Sequence, residues 1–208
     1  MGSEGKMKVA LIGPTFPFRG GIALYTTLLC RALRRSHEVR FISFTRQYPK
    51  TLFPGETDRL PGEPPVSAGD VSYIIDSLNP LTWRRAAVEI ARYGPDVLIM
   101  PWWVTFWAPL FIYLVRAVGR STDCEIVFLC HNVVEHEASA LKRRISRAVL
   151  SGADRVVTHS CQETDRAREL LGGDAEIVTG YHPTYAALAD GNRGRKAARE
   201  KLGVCGPV

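Results

Sequence analysis

Residues 131–137 read His131-Asn132-Val133-Val134-Glu135-His136-Glu137, two imidazoles, an amide and two carboxylates in one short run. Such a set can move protons, ligate a metal or read the hydroxyls of a sugar. Hydroxyl reading suits the mixture, because histidine, asparagine and glutamate supply donors and acceptors together. A Mg²⁺-type site prefers clustered carboxylates, and no second ligand pair accompanies this run, so no metal is expected. The alternative is a solvated loop in which Glu135 and Glu137 favour the N-terminus of the following helix.

The second chemical stretch is a glycine pair, Gly20-Gly21, between an apolar run at 9–12 and a helical pattern that begins at Ile22. A helix start presents unpaired N–H groups and a partial positive charge, which suits a phosphate. Glycine lets an anion approach backbone that a Cβ would shield. The same pair would also serve a strand–helix turn for geometry alone. Two common phosphate loops are excluded. No lysine follows the pair as a P-loop requires, and the second strand at 39–44 runs into Thr45 and Arg46 rather than a ribose-binding carboxylate.

Trp102 and Trp103 follow the fourth strand and form either a wall for a sugar or lipid, or the bulk a buried strand end needs. The helix at 140–150 carries Lys142, Arg143 and Arg147 outside and Leu141, Ile145, Ala148 and Val149 on an apolar side. It fits a solvated face or an anionic membrane surface.

These residues need a scaffold, and the chain supplies alternating elements. Strands are expected at 9–12, 39–44, 72–75, 96–100, 125–130, 155–158 and 176–179. Helices are expected at 22–35, 80–93, 105–118, 140–150 and 160–171, with a further short one at 196–202. Asn79 precedes Pro80 as a helix cap, Gly94-Pro95 stops that helix, and Ser160 caps another. Residues 47–69 hold five prolines and three glycines with little periodicity and form a surface excursion. Mostly apolar strands alternating with helices imply a doubly wound, Rossmann-like parallel sheet with helices on both faces. Ligands in such sheets collect at the carboxyl ends of the strands, where the glycine pair, Trp102-Trp103 and residues 131–137 all fall.

The chain of 208 residues fits one large α/β domain, with 46% hydrophobic and 23% charged residues. A net charge of +6 favours phosphate-bearing ligands, nucleic acid or anionic lipid, and composition does not choose among them. The basic residues are not interleaved with a nucleic-acid-reading motif, so a nucleic-acid partner is not expected. Five cysteines without C-x-x-C spacing support neither a disulfide framework nor a zinc site, and a reducing cytoplasm is the simplest setting. Residues 97–115 carry no charge, yet Pro101 and Pro109 interrupt them. A strand followed by a buried helix explains this stretch without a membrane span.

In order along the chain, G-P-T-F-P-F-R-G-G-I-A at 13–23, S-L-N-P-L-T-W at 77–83, F-L-C-H-N-V-V-E-H-E at 128–137 and Y-H-P-T-Y at 181–185 resemble one family. It is the N-terminal domain of GT-B glycosyltransferases of the family 4 type. The resemblance implies one half of a GT-B architecture. The whole enzyme would be a retaining hexosyltransferase, of the kind used in cell-envelope polysaccharide assembly, that needs no cofactor besides its substrate. That substrate is a nucleoside-diphosphate sugar, and the acceptor is a glycan or lipid-linked glycan. It places Gly20 and Gly21 at the donor diphosphate and His131 at the transferred sugar, as the catalytic residue. Arg19, Trp102, Trp103, Asn132 and Glu135 become candidate acceptor or sugar contacts. The implied layout is a tag or disordered start at 1–7, an acceptor-side domain at 8–188 and a linker at 189–208. That linker leads toward the chain's own C-terminal GT-B domain, whose E-x(7)-E motif is absent from these 208 residues. The expected setting is cytoplasmic, peripheral at the inner membrane face if the basic helix binds lipid, and the domain alone is expected to be inactive. The rival reading is a non-catalytic Rossmann-like module binding a protein partner or an anionic membrane surface.

Overall fold

The computed structural model describes residues 5–49, 57–64, 66–134, 139–173, 175–182, 199 and 203. Apart from residue 199 the expected helix at 196–202, most of the linker at 189–208, the first four residues and Glu135-His136-Glu137 lie outside this set.

β1 (Lys8–Ile12), β2 (Glu38–Arg46), β3 (Ser72–Asp76), β4 (Val97–Trp102), β5 (Glu125–Cys130), β6 (Arg155–Thr158) and β7 (Glu176–Thr179) form one sheet. Its order is β3-β2-β1-β4-β5-β6-β7, and every pairing is parallel. The order reverses direction between β1 and β4, which opens a crevice at their carboxyl ends. The doubly wound parallel fold expected from the strand–helix alternation is therefore the fold observed.

Side-chain parity divides the core between the two faces. Ile12, Ile42, Met100 and Phe128 meet α2 (Pro80–Tyr93) and α3 (Ala108–Gly119) through Ile90, Phe111 and Leu114. On the opposite face, Leu11 and Phe41 meet Cys30, and Val127 and Leu129 meet Tyr25, both from α1 (Gly21–Leu33). α4 (Ala140–Leu150) and α5 (Cys161–Leu171) add Leu150 and Leu170 to the first face.

Local chemistry sets the element ends. The Asn79 side chain accepts from the Leu81 N–H at 3.1 Å and Pro80 opens α2. Gly94 ends that helix in the left-handed region at φ 60°. The Ser160 hydroxyl accepts from the Glu163 N–H at 3.2 Å at the start of α5.

The uncharged stretch at 97–115 becomes β4, a 3₁₀ turn at Thr105–Trp107 and the first part of α3. β4 runs through Pro101 instead of stopping there. Pairing with β1 ends at Ile99, while Pro101 and Trp102 still pair with Leu129 and Cys130 of β5. The Trp102 carbonyl serves the β5 side, so by alternation Pro101 faces the side where β1 has already left. Its missing N–H costs no ladder bond. No helix among the described residues is long and apolar enough to cross a membrane.

The close fit of α1 onto the end of β1 depends on Gly13. A Cβ there would lie 2.7 Å from Thr26 Cγ2. Thr26 cannot turn aside freely, because its fully buried hydroxyl donates to the Pro14 and Ile22 carbonyls. Gly13→Ala should therefore destabilise the domain by about 1–3 kcal/mol. Denaturant unfolding measures it, and an unchanged midpoint would show that the α1–β1 contact is loose.

Candidate active site

The glycine pair divides its labour. Gly20 adopts φ 119° and caps α1 through its carbonyl, which accepts from the Leu24 N–H at 3.2 Å. That backbone conformation excludes other residues without strain. Gly21 is the first helical residue, and a Cβ built on it meets nothing within 4 Å. Its openness is therefore not needed for packing. α1 has no side-chain cap and no acidic residue in its first turn, so its N-terminal field is left for a ligand.

The loop before the pair is clamped in place. Thr15 and Thr27 share a hydrogen bond of 2.6 Å, and the Arg19 N–H donates to the Asp58 carbonyl at 2.8 Å. The Leu60 N–H reaches the Pro17 carbonyl at 2.7 Å, and the Tyr73 hydroxyl donates to the Phe16 carbonyl. The Arg19 side chain is exposed beside the pair.

His131 extends β5 by one step, its N–H donating to the Trp102 carbonyl at 2.9 Å. Parity puts its imidazole on the Leu129 face, against α1. There the Tyr25 ring meets it edge-on at 4.6 Å between centroids. The same rule applied to β6 and β7 brings in His159 and His182. Their rings lie 4.8 and 6.1 Å from that of His131 and 5.4 Å from each other. Burial above all, then His159 and His182, pushes the pKa of His131 down to about 3. Burial, then His182, also lowers that of His159. Both imidazoles are thus neutral near pH 7. His131 Nε2 and both ring nitrogens of His159 are buried and have no hydrogen-bond partner among the described residues. No group of three His, Cys, Asp or Glu side chains among those residues is arranged to hold a metal ion.

Glu163 fixes the approach to this cluster. Its carboxylate accepts from the Val133 N–H at 2.7 Å and pairs with Arg166, which ties the loop after β5 to the start of α5. Asn132 is exposed beside His131, and Glu135 lies outside the described residues.

Trp102 and Trp103 are packed as bulk at a strand end. They are 1% and 8% exposed, and their indole N–H groups donate to the Val133 carbonyl at 3.3 Å and the Tyr48 hydroxyl at 3.1 Å. Neither presents an indole face to a sugar, which corrects their place among the candidate contacts. The structure thus brings together His131 and Asn132, sets Gly20 and Gly21 at the head of α1, and withdraws the tryptophans. Tyr25, His159 and Glu163 were not candidates from the sequence, and His182 entered only within the motif at 181–185, with no role of its own. The strand-end rule, applied to β6 and β7 as it was to β5, would have marked both histidines.

A parallel sheet whose strand order reverses beside a glycine-led helix defines a doubly wound α/β domain. The chain belongs to the glycosyl transferase 4-like domain family, whose model matches residues 20–180. A comparison with curated proteins gives no match. Among solved structures, it is similar to Anabaena HepE in complex with UDP and glucose, with 14% identity and a TM-score of 0.58, covering 95% of this chain and 50% of that one. It is also similar to the catalytic domain of Arabidopsis thaliana starch synthase IV bound to ADP and acarbose, with 16% identity and a TM-score of 0.54, covering 86% and 52%. A sucrose-phosphate synthase chain from Thermosynechococcus elongatus matches with 16% identity and a TM-score of 0.50, covering 95% and 99%. At these identities the likeness is one of fold. The chain spans about half the length of the HepE and starch synthase chains.

The neutral state of His131 has a stability signature. Its folded pKa of about 3 lies below the ordinary 6.5, so the unfolded chain takes up the proton first as pH falls. Stability from this group is complete above about pH 6.5 and is lost progressively toward pH 3. Melting curves between pH 7.5 and 5 should show a falling Tm, and His131→Asn should flatten that fall. Equal slopes in both proteins would show that His131 titrates normally.

Proposed function

We propose that this chain is the acceptor-side domain of a retaining sugar transferase that uses a nucleoside-diphosphate sugar and a hydroxyl-bearing acceptor. The observation that carries the reading is the open, uncapped α1 N-terminus at Gly21, in a chain of the glycosyl transferase 4-like family. In such a transfer the bond from the anomeric carbon to the diphosphate breaks, and the acceptor oxygen bonds that carbon on the same face. The hydroxyl proton leaves with the diphosphate. Negative charge builds on the departing phosphate, and unpaired helix N–H groups aimed there stabilise it.

Neutral His131 acts as a hydrogen-bonding group toward the transferred sugar rather than as a cation. Tyr25, His159 and the Glu163–Val133 bond hold its ring and loop in place. Asn132 and Arg19 are exposed near this rim and serve as sugar or acceptor contacts. The likeness to HepE in complex with UDP and to starch synthase IV bound to ADP supports a nucleotide-sugar donor. In this reading a second domain forms the other wall of the cleft. Holding donor and acceptor together is worth roughly 7–11 kcal/mol, so one wall alone gives no measurable transfer.

Gly21→Val in the two-domain protein should weaken donor binding at least tenfold, about 1.4 kcal/mol, without unfolding it. Calorimetric titration with UDP- and ADP-sugars measures this, and unchanged affinity in the folded variant removes the phosphate role. His131→Ala should lower turnover more than tenfold while leaving the melting temperature near the parent value.

A cytoplasmic, membrane-peripheral setting belongs to the same proposal. α4 exposes Arg143, Arg144 and Arg147, with Leu141 66% exposed alongside them. Arg143 is partly engaged by Glu169 at 2.8 Å. Liposomes containing anionic lipid should sediment the protein, and added salt should release it. Equal sedimentation with neutral lipid, or none, removes the membrane role.

A further inference from the structure

We propose that the acceptor is amphiphilic and seats an apolar group in the cavity beside the glycine pair; this rests on the transferase reading. The cavity is about 270 Å³, with Phe16, Phe18, Leu24, Leu60 and Val66 in its wall and Gly20-Gly21 at its edge.

Apart from the α1 N–H groups at its edge, the wall formed by the described residues has little to offer a sugar. Among the described residues its one side-chain hydroxyl, on Thr27, is committed to the Thr15 hydroxyl at 2.6 Å and the Ala23 carbonyl at 2.7 Å. The Gly20 carbonyl is taken by the Leu24 N–H. A pyranose here would give up water without replacing its hydrogen bonds, a loss of about 1–3 kcal/mol for each buried hydroxyl. An apolar group gains instead, by about 0.8 kcal/mol per buried methylene. An apolar cavity of about 150 Å³ already accommodates benzene. The larger space here takes an apolar segment of about six to eight carbons.

Placement ties the cavity to the reaction. Residues 20, 24 and 27 share one face of α1, while Tyr25 points a quarter-turn away toward His131. The apolar cavity and the imidazole cluster therefore flank the same two glycines. An acceptor spanning them carries its reacting hydroxyl only a few bonds from an apolar segment, as in an alkyl or aryl glycoside or a glycolipid. A wholly polar oligosaccharide does not fit that requirement.

The test titrates the protein with methyl, butyl, hexyl and octyl glucosides below their micelle concentrations, following the Gly20 and Gly21 amide signals by NMR. The dissociation constant should fall about fourfold per added methylene, then level off when the cavity is full. Leu60 is 40% exposed at the cavity wall, so its side chain is the one varied. Leu60→Trp should abolish the chain-length dependence by occupying the space, and Leu60→Ser should reduce it by removing wall. If Leu60→Trp does not fold, the Leu60→Ser titration decides. Affinity that ignores chain length overturns the proposal, and so does a dependence that both variants leave intact. UDP and ADP, titrated into the two-domain protein, separate the two failures. No chain-length dependence alongside a nucleotide response overturns the cavity's role and leaves the transferase reading standing. Chain-length dependence without a nucleotide response overturns the transferase reading, and the acceptor assignment with it.

Discussion

The contact between α1 and the end of β1 is the constraint on which the site depends. Gly13 allows the helix to approach, and Thr26 and Thr27 fasten it to the loop with hydroxyls buried on both sides. Because the loop is held by α1, by residues 58–60 and by Tyr73, Gly20 is placed at φ 119° and Gly21 begins the helix at the sheet's mouth. The open N-terminus, the apolar cavity and the seat of Tyr25 all follow from that one junction. Loosening it would disperse three features at once, although none of them touches Gly13.

The electrostatics of the mouth follow from the same packing. A phosphate at Gly21 would meet backbone dipoles and, close by, imidazoles kept neutral by burial and by one another. Neutral imidazoles donate or accept hydrogen bonds without adding a full charge, so attraction for an anion here comes from the helix end and from Arg19 beside it. Glu163 contributes by position, because its carboxylate is spent on the Val133 N–H and on Arg166. Arg19 adds a full positive charge beside the pair, while Arg84, Arg85, Arg143, Arg144 and Arg147 are exposed on α2 and α4.

Much of this was legible in the residues. Asn79-Pro80, Gly94 and Ser160 marked helix ends because capping is local chemistry that needs no tertiary partner. The apolar strands gave the sheet, and His131 stood out because it ends a strong strand beside polar neighbours. Trp102 and Trp103 left two readings open, since bulk and stacking demand the same side chain; only the bonds to Val133 and Tyr48 decide. His159 escaped notice, and His182 was read only as part of a motif, for a different reason. Each is a single imidazole in its own loop, and their meaning lies in parallel strands that bring residues 131, 159 and 182 to one place. Pro101 misled the strand boundary because its tolerance depends on where β1 ends, a property of another segment.

The strand order also sets a timetable for a chain emerging from the ribosome. β1 is central, yet its second neighbour, β4, begins only at Val97, far along the chain. At about 5–20 residues per second, the strand waits on the order of ten seconds for that edge to be covered. From β4 onward each new strand adds to the growing side in turn, so assembly becomes a one-way zipper. His182 follows the last strand, and the imidazole cluster is completed only when that zipper closes. The glycine loop thus takes shape early in synthesis, His131 arrives with β5, and His159 and His182 follow only after β6 and β7.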